Sequence, residues 1–358
     1  MTLETTISEE SVTPDIIFEM FNGIWVTAVL KAGVALDIFT RIAEGYETVD
    51  AIAKNTETSR RGTRILLNAL CGLELLTKTE DRYNLTPVTN KFLVKGKETY
   101  IGGFSSAIPL AHWEAFGKMA EAVKKGTPVF DFISHESEAW EEVALSLIPL
   151  GVPVAQALCK ILGIGEEGRT ALKVLDVACG SGVYGYILLQ QDPRARVVGL
   201  DRQNVLNVAW TVAQSMGVAD RVIHRAGDIL TMEYGDTEFD IAIVSHILQG
   251  FGPIKGRSIL KKVYEALVPE GMVVINDFVA DEERFKKKYP LLFATYMLLV
   301  TPEGDTYTFS EFKTWLEAIG FENVTEHDVT GESSLIIATK GRILENKNQR
   351  RGLLSPLN

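Results

Sequence analysis

The chain has few cysteines and a shortage of positive charge, and each shortage excludes classes of protein. Only Cys71, Cys159 and Cys179 occur in 358 residues, an odd number without metal-ligand spacing. We therefore expect free thiols in a reducing compartment and no metal site. Lys and Arg number 36 against 47 Asp and Glu, which gives a formal net charge of -11. This balance argues against nucleic acid and against an anionic membrane as partners.

The sequence also lacks the signature of a signal peptide and of a membrane-spanning segment. Its opening stretch, MTLETTISEESVTPD, is polar and acidic, and no apolar run is expected to reach the length that spans a bilayer. With 46% hydrophobic residues the chain can bury a large core, and its length predicts two domains. We expect a soluble, cytoplasmic protein.

The most informative stretch runs from Lys173 to Asp201, KVLDVACGSGVYGYILLQQDPRARVVGLD. A short apolar run feeds a glycine loop, a helical pattern follows from Val183 to Gln191, and a second apolar run ends on Asp201. This order predicts a βαβ unit with a carboxylate at the end of its second strand.

Two classes of cofactor use such a unit. Gly180, Gly182 and Gly185 satisfy the GxGxxG pattern of dinucleotide sites, and Asp201 has the spacing of an acid that binds a ribose diol. Asp176 favours the other class, because a carboxylate at the loop repels a pyrophosphate and tolerates a cation. S-adenosylmethionine carries an ammonium and a sulfonium. An NAD site, or a unit whose glycines serve only packing, stays as an alternative.

The segment DVACGSG resembles the first motif of the class I S-adenosylmethionine-dependent methyltransferases. The resemblance runs from about Pro14 to about Lys340. The later segments resemble more specifically the small-molecule O-methyltransferases of plants and bacteria that carry an N-terminal winged-helix dimerisation domain. It implies S-adenosyl-L-methionine as the cofactor. In Gly227-Asp228-Ile229 the acid is expected on the adenine amino group and the apolar residue on the ring. The expected cofactor-binding residues are Asp176, Ala178, Gly180, Gly182, Asp201, Asp228, Ile229 and Ser245.

The α/β alternation continues to the end of the second domain. Strands are expected at 222–225, 240–245 and 272–277, and an antiparallel hairpin at 324–328 and 335–339. The resulting fold class is α/β, a Rossmann-like seven-stranded methyltransferase domain preceded by a mostly helical winged-helix dimerisation domain. The expected divisions are 14–100 for dimerisation, 101–168 for a helical connector that contributes to the substrate pocket, 169–341 for the catalytic domain and 342–358 for a C-terminal tail.

The first domain reads as four helical stretches and a hairpin, and one of these stretches is a short helix that can start at Thr48. Helices are expected from Asp15 to Leu30, from Ala35 to about Ala43, and from Ser59 as N-cap to Leu70, and the hairpin at 75–85. Winged helices often bind DNA, and three arginines lie on the third long helix. The acidity of the chain favours the dimerisation role that the resemblance implies, so we expect a homodimer.

Aromatic side chains are the expected lining of the substrate pocket. Phe293, Tyr296 and Met297 lie on the segment that closes over the substrate in the resembling family, and Trp140 lies on the connector. Phe104, His112, Trp113, Phe116 and Phe130 are further members of the connector, most of them expected in ordinary core. Pro149 and Pro153 predict a kink or break there.

The expected catalytic base is missing. In the resembling family a histidine four residues beyond the cofactor contact Ser245 takes the proton, and here that position is Gln249. Its carboxylate partner falls near Thr306. His246 and His112 are the substitutes, and Asp277 can orient a base or a polar group. We expect methyl transfer to a small aromatic or polyketide-like acceptor, and the family resemblance alone implies oxygen as the methylated atom. C- or N-methylation, or a non-methylating, ligand-binding member of the fold, stays open.

Overall fold

The computed structural model describes residues 12–97, 99–105, 113–129, 136–329 and 332–342. The chain divides into two compact units, residues 1–111 and 112–358. His112 and Phe130, two residues singled out in the sequence, lie outside the described residues. The helices and strands of the first unit are α1 (Asp15–Ala35), α2 (Ile38–Ala43), α3 (Val49–Asn55), α4 (Arg60–Gly72), β1 (Leu76–Thr79), β2 (Arg82–Leu85) and α5 (Pro87–Phe92).

The first unit has a small core of its own beneath the hairpin β1–β2. Its fully buried members come from α2, α3, α4 and the hairpin: Ile38, Phe39, Ile52, Leu67, Leu70, Leu76 and Tyr83. Thr48 and Ser59 accept hydrogen bonds from the first turns of α3 and α4, which fixes where these helices begin. The predicted N-cap at Ser59 is therefore confirmed. The described order of helices and hairpin follows the prediction.

Helix α1 is longer than the sequence suggested, and most of its apolar side chains are exposed. It continues past Leu30 to Ala35, so it has 21 residues. By length and composition alone it can cross a membrane, and among the described residues it is the helix that meets this test. The expectation that no apolar segment reaches this length was wrong, because the helix continues through Lys31 and Gly33. Exposed apolar residues on α1 include Ile16, Ile17, Phe18, Met20, Phe21, Ile24 and Trp25.

The second unit begins with helices and continues as a regular α/β alternation. Its elements are α6 (Trp113–Phe116), α7 (Met119–Lys125), α8 (Glu136–Ser146), α9 (Ile148–Leu162), β3 (Lys173–Val177), α10 (Val183–Gln191), β4 (Arg196–Asp201), α11 (Gln203–Ser215), β5 (Val222–Ala226), β6 (Phe239–Ser245), α12 (Pro253–Ala266), β7 (Leu267–Asp277), α13 (Lys288–Val300), α14 (Phe309–Ile319), β8 (Phe321–Asp328) and β9 (Ser334–Lys340).

The helix is not broken between Pro149 and Pro153, which was one of the two expected outcomes. Pro149 lies in the first turn of α9, where a missing N–H costs nothing, and the helix continues through Pro153 to Leu162. The buried face of α9 packs on α10 and joins the core of the sheet, with Val154, Ala155 and Leu158 fully or nearly fully buried. Tertiary packing of this apolar face outweighs the single hydrogen bond lost at Pro153.

The sheet of the second unit has seven strands in the order β5-β4-β3-β6-β7-β9-β8. The first five are parallel to one another, whereas β9 runs antiparallel to β7 and β8 antiparallel to β9. The predicted seven-stranded α/β sheet with a terminal antiparallel hairpin is confirmed. One face is covered by α9, α10 and α11 and the other by α12 and α14. The carboxyl ends of β3, β4, β6 and β7 thus meet at one edge, which is where open α/β sheets bind ligands.

Candidate active site

The glycine loop between β3 and α10 turns through three left-handed residues, Ala178, Gly180 and Gly182, with φ of 53°, 57° and 77°. At Gly182 a Cβ atom would lie 2.2 Å from Cζ of Tyr186, so no side chain fits without moving that ring. At Gly180 a Cβ would have no atom within 4 Å. The loop is therefore tightly constrained at Gly182 and open at Gly180.

Asp201 fastens this loop to the end of β4. Its Oδ2 accepts a hydrogen bond from the Gly180 N–H at 2.9 Å, and its Oδ1 accepts one from the Arg202 N–H at 2.8 Å. Each carboxylate oxygen has a second lone pair. The two oxygens can therefore accept the two hydroxyls of a ribose while they still hold the loop.

Asp176 is buried beneath the same loop. Its Oδ2 accepts from the Gly185 N–H at 3.3 Å, and Asp201 is near enough for the two charges to repel. Burial, and to a smaller degree the charge of Asp201, raises the pKa of Asp176 to about 8. A cation bound nearby would stabilise the ionised form, whereas a phosphate would not. The carboxylates at this loop therefore fit the ammonium and sulfonium of S-adenosylmethionine better than a dinucleotide.

The segment after β5 lies next to Asp201. The Gly227 N–H donates to the backbone oxygen of Asp201 at 3.0 Å, which brings Asp228 to the same edge. Asp228 is exposed, and its Oδ1 accepts from the Leu230 N–H at 2.8 Å. Ile229 is 9% exposed and packs in the core. Asp228 is thus accessible and Ile229 is buried, and their contact with adenine stays a prediction.

Ser245, at the end of β6, belongs to a polar group that the sequence did not reveal. The Asn276 Nδ2 donates to Ser245 Oγ at 3.0 Å and to Tyr184 Oη at 2.9 Å. Asn276 is fully buried, and its Oδ1 has no hydrogen-bond partner. An asparagine that follows the apolar run of β7 was the available signal, and its link to Tyr184 of α10 depends on the tertiary fold.

His246 and Asp277 lie side by side at the ends of β6 and β7. His246 has a φ of 51°, its N–H donates to the Asn276 oxygen at 2.8 Å, and its Nδ1 is 3.9 Å from Asp277 Oδ1. Burial lowers the pKa of His246 to about 4 and raises the pKa of Asp277 to about 7. The backbone N–H groups of Phe278 and Gln249 oppose the shift at Asp277.

Gln249 and Thr306, the two departures from the resembling family, are neighbours. The Gln249 carbonyl accepts from the Asp305 N–H at 3.0 Å, so the turn before α14 lies against the segment after β6. The Gln249 side chain is buried, its Nε2 contacts the His246 carbonyl at 3.4 Å, and its Oε1 has no partner. The Thr306 hydroxyl donates to the Pro290 carbonyl at 3.1 Å.

Aromatic rings continue from His246 into α13. The His246 ring is 4.5 Å from that of Phe278, which is 4.8 Å from that of Phe293, and Phe293 is 5.6 Å from Tyr296. Phe116 of α6 stacks on Tyr296 at 5.9 Å. We call these five rings the aromatic cluster. Phe278, which is adjacent to Asp277, was missed in the sequence because it follows a strand rather than a helical pattern.

The other residues predicted to contact the substrate are not members of the aromatic cluster. Met297 is buried on α13, next to Tyr296. Trp140 is half-buried on α8, a helix that packs against α11. Trp113 begins α6 and is 36% exposed. Phe104 belongs to the first unit. Their contact with a substrate stays a prediction.

Comparisons with known proteins agree with this geometry. Residues 169–320 match a methyltransferase domain, and residues 18–95 match an O-methyltransferase dimerisation domain. The chain is 26% identical to the tetracenomycin polyketide synthesis 8-O-methyl transferase TcmO of Streptomyces glaucescens, over 92% of this chain and 97% of that protein. It is 24% identical to 3-hydroxy-5-methyl-1-naphthoate 3-O-methyltransferase of Streptomyces sahachiroi, over 87% and 90%.

A solved structure also has a similar fold over most of its length. A solved structure from Nostoc punctiforme, assigned to the O-methyltransferases, superposes with a TM-score of 0.83. It is 29% identical to this chain, and the match covers 92% of this chain and all of that one. The seven-stranded sheet, the glycine loop and the similarity to these proteins together identify the chain as a methyltransferase. The chain belongs to the class I S-adenosylmethionine-dependent methyltransferases of the O-methyltransferase type, with S-adenosyl-L-methionine as its methyl donor.

Proposed function

We propose that the protein transfers a methyl group from S-adenosylmethionine to a hydroxyl of a small aromatic or polyketide-like acceptor. The observation that carries this proposal is the position of the aromatic cluster, which begins at His246 on the carboxyl edge of the sheet and extends over α13. Flat aromatic molecules stack favourably on such rings. The polyketide and naphthoate acceptors named for the two relatives are of this class.

In this proposal the cofactor is held by the residues of the glycine loop and its neighbours. Asp201 takes the ribose hydroxyls, Asp228 and Ile229 take the adenine, and Asp176 faces the cationic end. Ala178, Gly180 and Gly182 let the backbone approach closely, and Ser245 lines the edge with Asn276. The sulfonium of S-adenosylmethionine supplies an electrophilic methyl group and leaves as a neutral thioether. Alignment of acceptor and methyl group in a dry site supplies much of the rate, up to roughly 7 to 11 kcal/mol.

Proton removal is the remaining task of the protein. A phenol has a pKa of about 10 in water, so its oxygen is mostly protonated at neutral pH. Gln249 cannot accept that proton. The imidazole of His246 can accept a proton, and its ring belongs to the aromatic cluster. His112, the other histidine proposed to assist, lies outside the described residues.

A second reading is methylation of carbon or nitrogen. The observation in its favour is the lowered pKa of His246, about 4, which makes the isolated imidazole a weak base. A ring carbon activated by a neighbouring hydroxyl, or an unprotonated amine, needs no such base. The position of the new methyl group in the product separates these readings.

The first unit is proposed to form a homodimer through the exposed apolar face of α1. That face includes Phe18, Phe21 and Trp25, each more than half exposed in the single chain. A second copy of the same helix would cover it, which accounts for an apolar helix in a unit that matches a dimerisation domain. In this proposal the unit is a winged helix without nucleic acid as partner, and the protein is cytoplasmic.

The test is incubation of the protein with S-adenosylmethionine and a panel of hydroxynaphthoates, hydroxyanthraquinones and aromatic amines, followed by mass and NMR analysis of the products. We expect a product heavier by one methyl group, with that group on oxygen. Asp201→Asn should lower the amount of product at limiting S-adenosylmethionine, whereas Asp240→Asn, at the opposite end of the sheet, should not. A methyl group on carbon or nitrogen would replace the O-methylation proposal by the second reading.

A further inference from the structure

The segment after β5 is held by a lysine that the sequence did not single out. Lys262, half-buried on α12, has its ammonium within hydrogen-bond distance of three backbone carbonyls of this segment. The distances are 2.8 Å to the oxygen of Leu230, 2.9 Å to that of Met232 and 3.4 Å to that of Ile229. An ammonium has three N–H donors, and lysines usually keep them in water. Donation of all three to one short stretch of backbone indicates a role in fixing its shape.

The stretch that the ammonium binds is a single turn that begins at Asp228. The Asp228 carbonyl accepts from the N–H groups of Thr231 and Met232 at 3.0 and 2.8 Å, and its Oδ1 accepts from the Leu230 N–H at 2.8 Å. Asp228 thus caps the start of the turn, as an acidic residue caps a helix. We call residues 228–232 the Asp228 turn. The direction of this exposed carboxylate is therefore set by the shape of the turn.

Helix α12 gives the ammonium a rigid support. Its buried residues Ile259 and Val263 belong to the same core as Ile229 and Tyr234. The ammonium lies over the ring of Tyr234, 5.3 Å from its centroid, and the Tyr234 hydroxyl donates to the Ile229 carbonyl at 2.8 Å. The face of an aromatic ring attracts a cation. The Asp228 turn is thus bonded to the core by two side chains, and Lys262 is the charged one.

We propose that Lys262 is a positioning residue for cofactor binding, which holds the Asp228 turn so that the Asp228 carboxylate is directed at the amino group of adenine. This inference rests on the proposed function, and specifically on its assignment of Asp228 to adenine. Lys262 acts through the backbone of the turn. Without the lysine the turn would have to become ordered when the cofactor binds, and the entropy lost on ordering would weaken the affinity.

The experiment measures the affinity of the full chain for S-adenosylhomocysteine by isothermal titration calorimetry. The control is Lys261→Met, on the neighbouring lysine of α12, whose side chain is 70% exposed and lies 3.9 Å from Glu265. We expect Kd to rise about tenfold in Lys262→Met, which corresponds to about 1.4 kcal/mol, and to stay at the wild-type value in Lys261→Met. Lys262→Arg keeps the charge and the N–H donors, so it should recover part of the affinity. A wild-type Kd in Lys262→Met would overturn the inference.

A second ligand separates the positioning of Asp228 from a general loss of stability. The purine analogue of S-adenosylhomocysteine lacks the 6-amino group, so it has no donor for the Asp228 carboxylate. We expect Lys262→Met to weaken the binding of this analogue by at most about twofold, because the interaction that the turn prepares is already absent. Equal losses with both ligands would show that Lys262 supports the fold in general, and would overturn the inference.

A milder variant keeps the test available if Lys262→Met does not fold. Lys262→Gln retains an N–H donor for the carbonyls, and the same difference between the two ligands is expected of it. Thermal unfolding without ligand checks the folding of each variant. These measurements need no methyl transfer. If the thioether binds with the expected dependence on Lys262 but no acceptor is methylated, the proposed function is refuted and the role of Lys262 is confirmed.

Discussion

Replacement of Asp201 by Asn is the most direct perturbation of the cofactor site. The carboxylate accepts from two backbone N–H groups, those of Gly180 and Arg202, at 2.9 and 2.8 Å. An amide keeps the shape but turns one oxygen into a donor, which then faces one of these N–H groups. That backbone donor loses its partner, at a cost of about 1 to 3 kcal/mol, and the ribose loses a charge-assisted hydrogen bond of similar size.

The magnitude for cofactor binding follows from the second of these losses. We expect S-adenosylhomocysteine to bind Asp201→Asn about 2 kcal/mol more weakly, or about 30-fold in Kd, because each 1.4 kcal/mol changes the constant tenfold. The free variant should also unfold a few degrees lower, because one of the two backbone N–H groups bound by Asp201, that of Gly180 or that of Arg202, loses its partner. Isothermal titration calorimetry measures the affinity, and thermal unfolding without ligand measures the stability.

Asp240→Asn is the matched control. Its Oδ2 also accepts from a backbone N–H, that of Lys173 at 2.8 Å, but at the amino end of β3. It should lose stability and keep its affinity for S-adenosylhomocysteine. If Asp201→Asn bound the thioether as tightly as Asp240→Asn does, the assignment of Asp201 to the ribose would be refuted.

Three further predictions concern the loop, its buried acid and the first helix. The ammonium of S-adenosylhomocysteine should lower the pKa of Asp176 from about 8, so binding should release a proton between pH 6 and 8 and become tighter as the pH rises. Calorimetry in buffers of different ionisation enthalpy measures the proton release, and an unchanged release in Asp176→Asn would assign the proton to another group. Gly182→Ala should lower the free energy of unfolding by more than Gly180→Ala. Both variants place an alanine in a left-handed conformation, at about 1 to 2 kcal/mol, but only the Cβ at position 182 would lie 2.2 Å from the ring of Tyr186. Equal unfolding temperatures of the two variants would contradict the clash. Phe21→Asp on α1 should shift sedimentation from dimer to monomer at micromolar concentration, whereas Val88→Asp, 61% exposed on α5, should leave the dimer intact; a Phe21→Asp dimer would place the interface elsewhere.

The cofactor loop was predictable from the sequence because its parts are close along the chain. Asp176, the glycines and Asp201 belong to one βαβ unit, whose strand, turn and helix signals are local. The strands of the seven-stranded sheet could also be predicted, because turn residues bound each apolar run in the sequence. Burial of Asp176 could also be expected, since it lies within a continuous apolar strand.

The acceptor side was less predictable because its contacts join elements far apart in sequence. His246 follows β6, Phe278 follows β7 and Phe293 lies on α13, and only packing brings their rings within 5 Å of one another in turn. The same holds for the hydrogen bonds that join Tyr184, Ser245 and Asn276. The length of α1 was underestimated because the helix continues past Leu30 through Gly33, which packs against Phe39 and Leu70 in the structure.

The position of β9 has a consequence for when the enzyme becomes active during its synthesis. This strand is inserted between β7 and β8, and it pairs Ser334 with Asp277 and Leu335 with Asn276. The edge that bears His246 and Asp277 therefore lacks one wall until the residues around 334–340 have left the ribosome. The residues of the glycine loop emerge more than a hundred positions earlier. The glycine loop is thus synthesised well before the edge at His246 and Asp277 is complete, which separates the two parts of the site in time.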